Sequence, residues 1–209
     1  QCFLDGVDAS DALASKTHVV HNGVERLQKK QGPKKPVILF VGRMVAEKGV
    51  LELAEAAAQI LPNHPEWQLC LAGAKGFEVA EKSPYEKQVE SALVRLGAQA
   101  QMTGFLPYAD IRTLQGEAAI IACPSIWQDP MPKVVLEALA AGSALLASRR
   151  GGIPEAAEGR AHIVDEPNVD TLASAIEQLI TDDSYRNSLQ QVSAWKNIKC
   201  CDVCGDPQV

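Results

Sequence analysis

The chain has 209 residues, 46% of them apolar and 22% charged, and a net charge of −6. This is the composition of an ordinary globular protein with enough chain to bury a core. The acidic balance excludes a general nucleic-acid binder, which needs a basic face. No apolar run approaches the ~18 residues of a membrane span. The opening QCFLDGVDAS has no basic stretch followed by an apolar one, so it does not read as a secretory leader.

The charge is unevenly spread. Residues 1–35 carry six Lys/Arg and four Asp/Glu, whereas the remainder is acidic. The basic KKQGPKK run (29–35) holds Gly and Pro without apolar periodicity and reads as a solvated linker. A boundary is expected near residue 33. Residues 34–192 would then be the main domain.

From Pro36 onward, strand and helix patterns alternate. VILFVG (37–42) is a β-branched apolar run ending in Gly and predicts a buried strand. VLELAEAAAQIL (50–61) has helical spacing and composition. WQLCLAG (67–73) predicts the next strand, and a helix is expected over 85–96, opened by Ser83-Pro84 and closed by Gly97. A short strand at 100–103, a helix at 109–116 and a strand at 119–124 follow. A helix over 134–141 ends at Gly142, with a strand at 144–148 and another at 162–164. Asn168 can cap a helix over 169–180, and 183–192 can form one more. This alternation predicts an α/β domain: a Rossmann-like parallel sheet with helices on both faces. Ligands in such sheets bind beyond the carboxyl ends of the strands, so the post-strand loops are where chemistry is sought.

After the first strand, GRMVAEKG (42–49) places Arg43 and Lys48 at a strand-to-helix turn with Gly at both ends. The helix N-terminus adds positive potential, which favours phosphate. The segment is neither GxGxxG nor a P-loop, and taken alone it also fits a solvated basic turn. After the fourth strand, PSIWQDPMPK (124–133) is long for a connection of this kind. Pro132 suits a first helical turn. Glu137 lies eight residues beyond Asp129, among Val134, Val135, Leu136, Ala138 and Leu139. It is either an exposed helix position or a carboxylate that accepts from sugar hydroxyls. After the fifth strand, SRRGGIPE (148–155) holds a Gly-Gly pair suited to a tight turn. Gly104-Phe105 is either a contact for a flat base or a plain turn with a core Phe. His18, His21, His64 and His162 show no metal spacing.

Six cysteines are present. Cys70 and Cys123 sit in apolar runs and read as small buried hydrophobes. Cys200, Cys201 and Cys204 form CCDVC, which lacks the second pair a zinc site needs. The Cys-poor body fits a reducing compartment.

Five blocks, in this order, resemble the C-terminal half of retaining GT-B glycosyltransferases of family 4. HVVHNGVE (18–25) resembles the interdomain NGV segment, and ILFVGRMVAEKGV (38–50) the phosphate loop. MTGFLP (102–107) resembles the base-side loop, DPMPKVVLEALAAG (129–142) the E(x)7E motif, and SRRGGIPE the GG(I/V)PE turn. The resemblance covers residues 17–192 and implies one half of a GT-B fold that binds a nucleotide-diphosphate sugar, with residues 1–33 the end of an N-terminal domain plus the interdomain linker and 193–209 an atypical tail. It also implies transfer of that sugar with retention, without a metal or other cofactor. Arg43 and Lys48 would bind the diphosphate, aided by Gly42, Phe105 and the start of the following helix at Met131, Pro132 and Lys133. Glu137 would hold the ribose, and Asp129 the transferred sugar. Two departures stand out: Asp129 replaces the usual Glu, and Pro132 removes an amide donor.

The implied partners are the nucleotide-sugar donor, an N-terminal GT-B domain, and a glycan or lipid-linked acceptor in cell-surface polysaccharide or lipopolysaccharide synthesis. No nucleic acid is implied. The implied location is cytoplasmic, with peripheral membrane contact through the N-terminal domain. This chain alone is expected to transfer sugar poorly. A non-catalytic nucleotide-binding module of the same fold is the alternative. Phosphorylase relatives need a pyridoxal-phosphate lysine, for which no position is evident.

Overall fold

The computed structural model describes residues 23–24, 32–76 and 81–192. The expectations for the CCDVC tail, for Lys29 and Lys30, and for most of the 18–25 segment lie outside these residues.

Six parallel strands form one sheet: β1 (Lys35–Val41), β2 (Gln68–Ala72), β3 (Ala100–Gly104), β4 (Ala118–Cys123), β5 (Ala144–Ser148) and β6 (Ala161–Val164). Their order is β3-β2-β1-β4-β5-β6. The chain therefore moves outward on one side from β1 and on the other from β4. The helices that follow these two central strands lie on opposite faces of the sheet, which makes their carboxyl ends the topological switch point.

Strand parity divides the core into two halves. Ile38, Phe40, Leu69, Leu71, Ile120 and Leu146 face one side. There they meet α1 (Val50–Ile60), α2 (Pro84–Leu93), α6 (Val169–Thr181) and α7 (Asp183–Val192). Leu39, Cys70, Ile121 and Leu145 face the other side. They pack on α3 (Tyr108–Glu117), α4 (Lys133–Ala141) and α5 (Ile153–Ala157). Both faces are covered, which is why the four inner strands read as continuous apolar runs rather than alternating ones, whereas the edge strands β3 and β6 are only half-buried.

Helix ends follow local chemistry. The Ser83 hydroxyl accepts from the Glu86 N–H, and the Glu86 carboxylate accepts from the Ser83 N–H. Asn168 and Thr171 form the same reciprocal box. Gly142 closes α4 in the left-handed conformation.

Three expectations are corrected. The helix expected over 85–96 is regular only to Leu93, and a 3-10 stretch, Val94–Gln99, replaces its end. Gly97 interrupts that stretch with φ 51° and ψ −120°. Pro132 is the residue preceding α4 rather than part of its first turn. Lys34 is not a solvated linker cation. Its ammonium donates to the carbonyls of Gly116 (2.8 Å) and Ala141 (2.8 Å), and to the Ser143 hydroxyl at 3.2 Å. It thereby caps the carboxyl ends of α3 and α4, where the helix dipoles favour a cation. Burial pushes its ammonium down to about 8.

Candidate donor site

The site is assembled from the loops at the carboxyl edge of the sheet. Their close approach depends on glycine. Gly73 has φ 137°, and a Cβ there would lie 1.9 Å from the Gly42 carbonyl oxygen. The Gly42 N–H donates to Ala72 O (3.0 Å) and the Gly73 N–H to Gly104 O (2.9 Å). The loops after β1, β2 and β3 are thus laid edge to edge. They enclose a cavity of about 250 Å³ lined by Gly42, Arg43, Gly73, Gly76, Phe105 and Ile111, among others.

Phe105 is 55% exposed, so it is not a core residue at a plain turn. Its side chain lines the cavity. The described ends of the β2–α2 connection meet at the buried Glu86, which accepts from the N–H groups of Lys75 (3.0 Å) and Ser83 (2.7 Å).

At the switch point, the β4–α4 loop is held against the β1–α1 loop. The N–H groups of Ile126 (3.0 Å) and Trp127 (3.2 Å) both donate to Glu47 O. A Cβ on Gly49 would lie 2.1 Å from Pro124 O. The Gly-Gly turn packs beneath the same loop. Gly152 N–H donates to Asp129 O at 2.8 Å, and Gly151 N–H to the Gln128 side chain at 2.6 Å.

These contacts bring Lys48 and Asp129 together across the divergence of β1 and β4, where they form an ion pair. Asp129 is buried, and the Lys48 side chain is mostly covered. Arg43 differs: it is exposed, and no ion pair engages it among the described residues. It lines the cavity, while Lys48 is held in its ion pair. Lys133 is also exposed, at the start of α4, and Met131 is half-buried beside it.

Glu137 lies in the second turn of α4 and is buried, so the exposed-helix reading does not hold. Its Oε2 accepts from the Gln115 amide at 2.8 Å. It does not line the cavity that holds Gly42, Arg43 and Phe105, and neither do Lys48 and Asp129. The predicted residues therefore form three groups on one edge: the cavity group, the Lys48–Asp129 pair, and Glu137 behind α3.

The cysteine nearest this edge, Cys123, is chemically quiet. Burial, reinforced by the Asp129 charge, pushes its thiol up to about 12, so it carries no thiolate at neutral pH. Among the described residues, no group of three or more His, Cys, Asp or Glu could hold a metal ion, and no helix is long and apolar enough to cross a membrane.

Sequence reading missed Gly73, Ala74 and Gly76. The AGAKG run after β2 was the available signal, since it places glycines at the same sheet edge as Gly42. Gln115 and Arg112 gave no signal, because nothing local marks a helical Gln as the partner of a carboxylate 22 residues away.

Comparisons with known proteins identify the family and the fold. Residues 24–194 match the family described as glycosyl transferases group 1. The chain belongs to that family. It is 32% identical over 195 residues to the alpha-maltose-1-phosphate synthase of Mycolicibacterium smegmatis, covering 80% of this chain and 48% of that protein. It is 26% identical over 173 residues to the lipopolysaccharide 1,2-N-acetylglucosaminetransferase of Salmonella typhimurium, covering 78% and 45%. The group 1 chain thus spans less than half the length of these relatives.

Among solved structures, the C-terminal domain of the group 1 glycosyltransferase LpcC from Francisella tularensis superposes with a TM-score of 0.63 at 25% identity, covering 77% of this chain and 83% of that one. Anabaena HepE, in complex with UDP-glucose, gives a TM-score of 0.66 at 24% identity, covering 76% and 43%. The fold is that of GT-B glycosyltransferase structures.

Proposed function

We propose that this domain is the donor-binding half of a retaining family 4 glycosyltransferase, and that it takes a nucleotide-diphosphate sugar at the carboxyl edge of its sheet. The observation that carries this reading is the arrangement of its cations. Arg43 has no ion-pair partner among the described residues and lines a glycine-walled cavity. Lys48 is held at the divergence of β1 and β4 by Asp129. A diphosphate between them meets fixed positive charge where the leaving group becomes more negative, which is how such sites lower the barrier without a bound metal. The UDP-glucose bound by HepE supports the same ligand class on this fold.

Phe105 supplies a flat face for the base, and the free N–H groups at the start of α4, beside Met131 and Lys133, face the phosphates. Pro132 offers no N–H there. Glu137 accepts from the ribose hydroxyls, and Asp129 from the transferred sugar. In the reaction, the bond from the anomeric carbon to the diphosphate oxygen breaks. An acceptor oxygen takes its place on the same face, and the acceptor's proton leaves with the diphosphate. The acceptor is a glycan or lipid-linked glycan of the cell surface, bound mainly by an N-terminal GT-B domain. The Salmonella relative acts on lipopolysaccharide, which supports that acceptor class. Residues 34–192 alone bind donor and transfer it poorly.

Glu137→Ala tests the ribose assignment. It should weaken nucleoside diphosphate binding by about 1–3 kcal/mol through lost charge-assisted hydrogen bonds. Calorimetry that shows unchanged affinity with intact folding removes Glu137 from the site.

A further inference from the structure

The buried Glu137 carboxylate is approached from an unexpected direction. Gln115, in the last turn of α3, is fully buried and donates its side-chain N–H to Glu137 Oε2 at 2.8 Å. The orientation of that amide is itself set. Arg112, one turn earlier on the same helix, donates from Nη1 to Gln115 Oε1 at 3.1 Å. A guanidinium has only donors, so it must meet the amide oxygen, and this turns the amide N–H toward Glu137. Arg112 in turn lies over the Tyr108 ring, 5.8 Å from its centroid.

Tyr108, Arg112 and Gln115 thus share one face of α3, while Ile111 of the same helix lines the cavity. The helix that forms a cavity wall also holds the glutamate. The far ends of the two helices are fastened as well, because Lys34 bridges Gly116 O and Ala141 O. Among the described residues, Glu137 Oε1 takes no hydrogen bond.

We infer that Gln115 is a positioning residue for Glu137: its amide, oriented by Arg112, fixes one carboxylate oxygen so that the other is presented to the ribose diol of the donor. The inference rests on the ribose reading of Glu137 given above and adds the group that aims it. An unheld glutamate on α4 would sample several rotamers, and ligand binding would have to select one. The buried amide removes that cost before the donor arrives. It also keeps the carboxylate satisfied in a site where an unpaired charge is costly.

The test uses calorimetry with UDP, GDP and ADP, each beside its 2′,3′-dideoxy counterpart, which lacks the diol. Two variants are needed. Gln115→Met keeps the volume and removes the donor. Gln115→Glu keeps the shape and the acceptor for Arg112 but sets a carboxylate against Glu137, so it remains informative if the first variant fails to fold. Each should weaken the nucleoside diphosphate about tenfold and leave the dideoxy ligand within about twofold of wild type. Equal losses for both ligands mean that Gln115 is merely structural and overturn the inference, as does unchanged affinity for the diol ligand. Glu137→Ala in the same assay separates the two levels. If it retains wild-type affinity, the ribose reading fails. If it loses the diol preference while the Gln115 variants keep it, only the positioning role fails.

Discussion

Replacing Lys48 by Met will reduce affinity for a nucleoside diphosphate about 10–100-fold, the loss expected for a cation placed on phosphate. Two effects act together. The ammonium no longer meets the diphosphate, and Asp129, which is buried, loses the cation beside it. The unpaired carboxylate then repels the incoming anion. Removing one partner of a covered pair costs more than removing an exposed one. Because the Lys48 side chain is partly solvated, folding stability should fall by only about 1–2 kcal/mol. Calorimetry on the variant, with urea unfolding alongside, checks both numbers. An affinity within about twofold of wild type would show that Lys48 serves Asp129 alone and does not touch phosphate.

Gly151→Ala should strongly disrupt the loop that presents Asp129. Gly151 has φ 54°, and a Cβ there would lie 2.0 Å from Asp129 O and 2.7 Å from Asp129 N. That neighbour is backbone, so it cannot swing aside. Gly159 provides the control, with φ 71° and open space around it. Both alanines incur about 1 kcal/mol of left-handed strain. Only the one at residue 151 also pushes away the loop that presents Asp129, for a total of about 3 kcal/mol. Urea unfolding should therefore separate the two variants by about 2 kcal/mol. Donor affinity should drop for Gly151→Ala and persist for Gly159→Ala. Equal destabilisation would mean that the Gly-Gly turn is needed only for its dihedrals and not for its contact with the 129–130 backbone.

What could be read from the residues depended on the range of the interaction involved. The four inner strands were legible because each is a short apolar run with its core residues buried, and the edge strands β3 and β6 because turn residues and helix patterns bracket them. The caps at Ser83, Gly142 and Asn168 were legible because capping is local. The order of the sheet was not, since parallel neighbours are joined by long crossovers and pair through backbone alone. The short helix Ile153–Ala157 was hidden by Pro154, which reads as a breaker but is tolerated in a first helical turn.

Lys34 looked like one more linker cation. Its partners are carbonyls at residues 116 and 141, far along the chain. The candidate site divides in the same way. Arg43, Lys48, Asp129 and Glu137 could be picked out by residue type and position after strands. The meeting of Lys48 with Asp129 depends on the adjacency of β1 and β4. The Arg112–Gln115–Glu137 chain depends on how α3 packs against α4. Neither is encoded in any single segment.

The central claim is that the carboxyl edge of this sheet binds a nucleoside diphosphate through its two basic residues. The most direct test is calorimetric titration of the chain with UDP, GDP and ADP, each beside the matching nucleoside, for wild type and Arg43→Ala. Wild type should bind at least one diphosphate well above its nucleoside. Arg43→Ala should lose most of that difference while binding the nucleoside unchanged. If wild type binds none of the diphosphates, or if the substitution weakens nucleoside and diphosphate equally, the site is not a donor diphosphate site.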